Sequence, residues 1–176
     1  MERIILGYND SAAAQAARDW AIDQAQVRQA EIVMVYVVSS IWQWELAAAQ
    51  INPDPITREF DRLLRQDWSQ PLRTSGTPYR TELLRGRPAD AVRDCAQRED
   101  AALIVVGMST RGTLTELLFG SSAHKLVHEA HRPVVAVPAG WRGPPTNEPT
   151  ENPAQHGEHR KVETPMRRAK QRKEPT

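Results

Sequence analysis

Ile32-Val33-Met34-Val35-Tyr36-Val37-Val38 is a charge-free run, β-branched at nearly every position. A strand with one face in water alternates apolar and polar residues. This one does not alternate, so it reads as a strand covered on both faces, as in a parallel sheet. Runs of the same kind lie on either side. Ile4-Ile5-Leu6 ends at Gly7, Leu103-Ile104-Val105-Val106 ends at Gly107, and Val134-Val135-Ala136-Val137 ends at Pro138. A more polar strand fits residues 79–84.

The segments between these runs have helical spacing. Ser11 is a good N-cap for a helix with Ala13, Ala17, Trp20, Ala21 and Gln24 on one face. Asp54-Pro55 opens a second, in which Ile56, Phe60, Leu63, Leu64 and Trp68 recur until Pro71 kinks or ends it. Pro88 starts a third with Val92, Cys95 and Ala96 inward. A fourth begins near Gly120-Ser121 with Ala123, Leu126, Val127 and Ala130 inward. Residues 41–53 stay open: Trp42 and Trp44 suit a partner surface and packing under a long loop equally well. Strands alternating with helices call for right-handed crossovers. The expected fold is α/β, a single domain with a five-stranded parallel sheet sandwiched by helices, Rossmann-like. In such sheets a ligand sits beyond the carboxyl ends of the strands where strand order reverses, which points to the first and fourth strands.

Composition narrows the function. The chain has 176 residues, a single Cys and a net charge of +1, so an internal disulfide framework and a multi-cysteine metal site are out. No apolar run reaches the ~18 residues of a membrane span, and Met1-Glu2-Arg3 does not open a signal peptide. A cytoplasmic protein with no membrane partner is expected. His124 and His128 are one helical turn apart with His131 nearby, but no third ligand has metal-site spacing, so they read as solvated helix-face side chains and no metal site is expected. Cys95 reads as a small buried hydrophobe. No nucleophile–base arrangement stands out, so no catalytic residue is assigned.

The chemistry lies after the fourth strand, in Gly107-Met108-Ser109-Thr110-Arg111-Gly112-Thr113-Leu114 and then Phe119-Gly120-Ser121-Ser122. Glycine turns that open a helix suit a phosphate, because backbone N–H groups can approach it and the helix end carries partial positive charge. Gly107 and Gly112 have Walker A spacing, but Thr113-Leu114 stands where Lys-Ser/Thr is required, which excludes an ordinary P-loop NTPase.

These segments resemble the universal stress protein family over roughly residues 2–138. The resemblance rests on Ile4-Ile5-Leu6-Gly7-Tyr8-Asn9-Asp10-Ser11, Gly86-Arg87-Pro88-Ala89, Leu103-Ile104-Val105-Val106-Gly107, Leu117-Leu118-Phe119-Gly120-Ser121-Ser122 and His131-Arg132-Pro133-Val134-Val135-Ala136-Val137, in the family's order. It implies a sandwich of the adenine-nucleotide alpha-hydrolase kind, often dimeric, in a family with ATP-binding and non-binding members. The binding branch carries G-x2-G-x9-G-[S/T]. Here Gly107, Gly120 and Ser121 fit, Thr110 replaces the middle glycine, and Ser122 stands where an apolar residue is common. The family's strand-one aspartate falls on Asn9, which keeps an acceptor for ribose or adenine, unless a small shift brings Asp10 into use. By the same resemblance Val37 meets adenine through its backbone, and Gly7 and Val106 line the cleft. The expected ligand is ATP or another adenine nucleotide, with Mg²⁺, bound with weakened affinity and hydrolysed slowly if at all. The expected assembly is a homodimer through the fifth strand. The competing reading is a non-nucleotide-binding interaction module of the same fold, with contacts through its dimer surface or tail.

The domain is expected over 1–139 and a disordered tail over 140–176. From Trp141 onward eight residues are basic and five acidic, with six prolines and few apolar side chains. Such a segment cannot bury enough surface to offset its ordering entropy. Its lysines and arginines lack interleaved aromatics, so a nucleic-acid partner is not expected.

Overall fold

The computed structural model describes residues 1–108 and 120–143. Five strands form one all-parallel sheet: β1 (Arg3–Gly7), β2 (Glu31–Ser39), β3 (Tyr79–Gly86), β4 (Leu103–Met108) and β5 (Val134–Pro138). Their order is β3-β2-β1-β4-β5, so the direction of travel reverses between β1 and β4, where the alternation of strands and helices had pointed.

Each face of the sheet has its own core. On one, Ile4, Leu6, Met34 and Val105 pack under α1 (Ala12–Arg28) together with Leu64 and Leu72. On the other, Ile5, Val33, Val35, Ile104 and Val106 pack under α5 (Pro88–Arg98) and α6 (Gly120–Glu129), with Val92, Cys95, Ala96 and Leu126 contributed by the helices. The continuous apolar runs of β1, β2 and β4 are thus explained, since both of their faces are buried.

Ser11 caps α1 as expected, accepting from the Ala14 N–H at 3.1 Å. The buried stripe of that helix is all alanine: Ala13, Ala14, Ala16, Ala17, Ala21 and Ala25. Trp20, which shares the expected inward face, is only half-buried. The stripe of small residues lets α1 lie close on the sheet, across β1, β4 and β5.

The open stretch after β2 is a helix, α2 (Ser40–Ala48), followed by α3 (Asp54–Leu63). The run is broken just before Pro71, at Ser69. Proline has no N–H for the carbonyl four residues back, and in a continuous α-helix its ring would strike it. Here a π-helical turn, Leu64–Trp68, intervenes, and the helix resumes as α4 (Gln70–Thr74) with Pro71 in its first turn. Aromatic rings join this segment to the sheet: Phe60 stacks on Tyr36 with centroids 4.8 Å apart, Trp68 lies 5.2 Å from Tyr36 and 5.7 Å from Tyr8, and Trp42 meets Phe60 at 5.8 Å. Trp42 therefore packs inward, while Trp44 and Ile41 are exposed.

Met1–Gly143 forms one compact unit. Trp141 is half-buried against the α1 face of the core, and its N–H donates to the Pro138 carbonyl at 3.0 Å. The packed chain therefore runs past the expected boundary at 139. The disordered tail expected beyond it falls almost wholly on 144–176, outside the described residues.

Candidate functional site

β1 is shorter than its neighbours at the carboxyl end. Its last rungs pair Gly7 with Val35 of β2 and with Val106 of β4, whereas β2 continues to Ser39 and β4 to Met108. A notch opens where strand order reverses, the usual place for a ligand in an open α/β sheet.

The backbone on the β2 side of the notch is set by register. Glu31 donates its N–H to the Glu2 carbonyl, and the Val35 carbonyl accepts from Tyr8 N–H at 2.9 Å, so odd-numbered residues of β2 turn their polar groups toward β1. Val37 has the same parity and lies past the last rung. Its N–H and C=O face the notch, where a hydrogen-bonding edge can be read. Gly7 and Val106 form the floor: both are buried, and a Cβ on Gly7 would press on Val106 Cγ1 at 3.1 Å. They shape the notch by packing, without exposing side chains to it.

Gly107 has a reason to be glycine that needs no ligand. A Cβ there would come within 2.5 Å of the Ala13 carbonyl carbon and the Ala14 nitrogen. Sequence reasoning credited Gly107 to a phosphate loop; the structure adds a close crossing of α1 over β4. The alanine stripe of α1 was the available signal, since small residues on both partners mark a close approach.

The turn leaving β1 is tightly bonded. Asn9 Oδ1 accepts from Ser11 Oγ at 2.8 Å and from Ser11 N–H at 3.3 Å. The acceptor expected to serve ribose or adenine is therefore engaged in holding the α1 cap. Asp10 follows with φ +60°, and its Oδ1 accepts from the Tyr8 hydroxyl at 3.2 Å and Gln15 Nε2 at 3.3 Å. Burial, with the Asp10 charge adding to it, pushes the Tyr8 phenol up to about 12, against the opposing influence of Arg18. The Tyr36 phenol is raised by burial and, again, by Asp10. Both phenols therefore stay protonated near neutrality, and the Tyr8 hydroxyl is the donor to Asp10.

Thr110 lies outside the described residues. Gly120, Ser121 and Ser122 form the first turn of α6, whose backbone alone is described there. α6 is held to α5 by Lys125, which pairs with Asp90 at 2.8 Å, and by Arg93, which pairs with both Asp90 and Glu129 at 3.1 Å. Lys125 keeps the Asp90 carboxyl below its ordinary range. Among the described residues, no group of three His, Cys, Asp or Glu side chains could hold a metal ion, and no helix is long and apolar enough to cross a membrane. The side chain of His124 is outside the described set. Burial pushes the Cys95 thiol up to about 11, a poor state for a nucleophile.

A universal stress protein of Thermus aquaticus is 30% identical to this chain over 135 residues, covering 76% of it and 96% of its own length. The solved universal stress protein UspA of Lactobacillus plantarum aligns with a TM-score of 0.61 at 27% identity, over 77% of this chain and 97% of its own. The universal stress protein of Archaeoglobus fulgidus, solved in complex with dAMP, aligns with a TM-score of 0.58 at 21% identity, over 78% and 97% of the two chains. Residues 1–138 match the universal stress protein family, and the chain belongs to it.

Proposed function

We propose that this universal stress protein binds an adenine nucleotide, ATP first, in the notch above β1. The observation that carries the reading is the shortened β1 at the reversal of strand order, which leaves the backbone of Val37 past the last β1 rung on one side and the β4 exit on the other. The retained Gly107, Gly120 and Ser121 support phosphate placement at the start of α6, where a helix N-terminus favours an anion. The dAMP complex of the Archaeoglobus fulgidus relative shows that a protein of this fold binds an adenine nucleotide. Mg²⁺ would be carried by the phosphates, since no carboxylate cluster waits for it among the described residues. Hydrolysis is slow at most: the sequence offers no Walker lysine and no positioned base.

Calorimetry with ATP and Mg²⁺ tests the proposal. Binding at micromolar affinity or weaker is expected, about −8 kcal/mol or less favourable. Absence of both heat and thermal shift at millimolar ATP would sink it.

A second reading, an interaction module without nucleotide, is favoured by α2. That helix has no buried residue, and Ile41 and Trp44 are 57% and 77% exposed. A chain that ignores ATP but loses a partner on Trp44→Ser would support it.

A further inference from the structure

None of the residues of α2 is buried, and Glu45 is the single charge in residues 40–53. Trp42 and Leu46 are half-buried, and Trp42 meets Phe60. Ile41, Trp44 and Ala48, spaced i, i+3 and i+7, line the other side of the helix and are exposed, as is Ile51 just beyond it. One exposed apolar side chain needs no explanation, whereas a charge-poor ridge of them marks a contact surface. The ridge springs from a basic corner. Ser39, the N-cap of α2, pairs in register with Gly86 at the end of β3, and Gly86 lies between Arg85 and Arg87, both exposed. The neighbouring carboxylates are taken by other cations: Glu82 by Arg80 and Arg98, and Asp90 by Lys125 and Arg93. Among the described residues neither Arg85 nor Arg87 is spent on an ion pair.

We infer that this corner docks on an anionic lipid surface, with Ile41 and Trp44 entering the headgroup layer and Arg85 and Arg87 meeting lipid phosphates beside them. The inference rests on the reading of α2 as a contact surface, names its partner, and asks nothing of the notch. A helix with every residue uncovered is a convex ridge, which suits a deformable bilayer; a partner helix is bound in a groove. An indole is favoured at the boundary of lipid and water, where its ring is apolar and its N–H stays wet. A small apolar contact alone holds a protein on a membrane only weakly, and a basic segment beside it makes the attachment stable. The sequence after Gly143 supplies one: Arg167, Arg168, Lys170, Arg172 and Lys173 fall within seven residues. The expectation of no membrane partner came from the lack of a spanning segment, and a helix that lies on the surface needs none.

Flotation of the full chain with lipid vesicles tests the contact. Binding to vesicles of mixed phosphatidylcholine and phosphatidylglycerol is expected, with little binding to phosphatidylcholine alone. Trp44→Ser should weaken it about tenfold, the worth of one large apolar side chain taken out of water. Arg85→Gln combined with Arg87→Gln should weaken it by a similar factor and make it less sensitive to salt. All three side chains are exposed, so the fold survives, and unchanged melting temperatures check this. A full chain that does not float with the anionic vesicles overturns the inference. So does flotation that either variant leaves intact, which assigns the contact to the basic segment after Gly143 if truncation there abolishes it. A lower light-scattering mass for Trp44→Ser without vesicles would make this face a contact between copies and overturn the inference too. Loss of a protein partner on Trp44→Ser, with no flotation by the full chain, removes the lipid and leaves α2 standing as a contact surface.

Discussion

Gly107 lies directly beneath the backbone of Ala13, so close that any Cβ would stand 2.5 Å from its carbonyl carbon. The contact is backbone to backbone, and no rotamer change relieves it. α1 and β4 can meet at this distance only because one side is glycine and the other a stripe of alanines.

Gly107→Ala should therefore destabilise the fold by about 2–3 kcal/mol or prevent folding, as overpacking against a rigid element does. Urea unfolding reads this directly. A loss under 0.5 kcal/mol would mean that α1 shifts freely. The variant is consequently a poor probe of ATP binding, and Ser121→Ala is the better one.

Thr110 separates two accounts of the phosphate loop. If its side chain crowds a position suited to glycine, Thr110→Gly tightens ATP binding. If its hydroxyl donates to a phosphate, the same change weakens binding by about 1 kcal/mol. Calorimetry distinguishes them, and an unchanged affinity would remove this loop from the phosphates.

The two sheet edges differ. β3 carries Arg80, Glu82 and Arg85, whereas β5 reads Val134-Val135-Ala136-Val137-Pro138 without charge. Charged edges resist pairing and uncharged ones invite it, so we propose that β5 pairs with its copy in a two-fold dimer. Light scattering should give about twice the 19.8 kDa of one chain. A charge at Val135 would test folding instead, because Val135 packs on the α1 core. Ala136→Pro is cleaner. The Pro133 carbonyl accepts from Ile104 N–H, so residues of even number in β5 turn their N–H outward; proline at 136 removes a free edge donor, and because Ala136 packs on the core under α5 and α6 an unchanged melting temperature has to accompany the result. A folded monomer is the expected product; an intact dimer would place the interface elsewhere.

Acid should weaken the network around Glu99. Arg80 first, with Arg3 and Arg98 nearby, holds its carboxyl below the ordinary value of 4.5. Because the folded-state value is the lower one, the stabilisation is complete above the unfolded value and fades as pH falls through the folded one. Glu99→Gln should cost about 1 kcal/mol or more at pH 7 and flatten the decline below pH ~4.5. Unfolding curves between pH 3 and 7 that match for both proteins would contradict this.

Trp141 carries the packed chain past residue 139. Truncation after Gly143 should leave the melting temperature unchanged. Truncation after Ala139 removes an indole half-buried on the core and should cost about 1–2 kcal/mol. Equal melting temperatures for the two would show that Trp141 contributes nothing.

The strands, their parallel pairing and the helices between them were legible in the sequence, because burial on both faces imposes continuous apolar runs and Ser11, Pro88 and the strand-ending glycines are local signals. Local reading failed where local rules conflict. Pro71 argued for a kink or an end, and the run does break there, but through a π-helical turn that residue types do not announce; the charge-poor 41–53 stretch gave no period, and α2 formed with Trp42 seated on Phe60. The sequence pointed to the carboxyl ends of β1 and β4 as the candidate place for a ligand, from the alternation of strands and helices. Which atoms are available there was decided only by the tertiary structure. Asn9 spends its acceptor on Ser11, Asp10 turns outward at φ +60°, and Val37 faces the notch because β1 stops at Gly7. Hydrogen-bond commitment and close approach depend on distances between segments far apart in the chain, and residue types alone do not encode those distances.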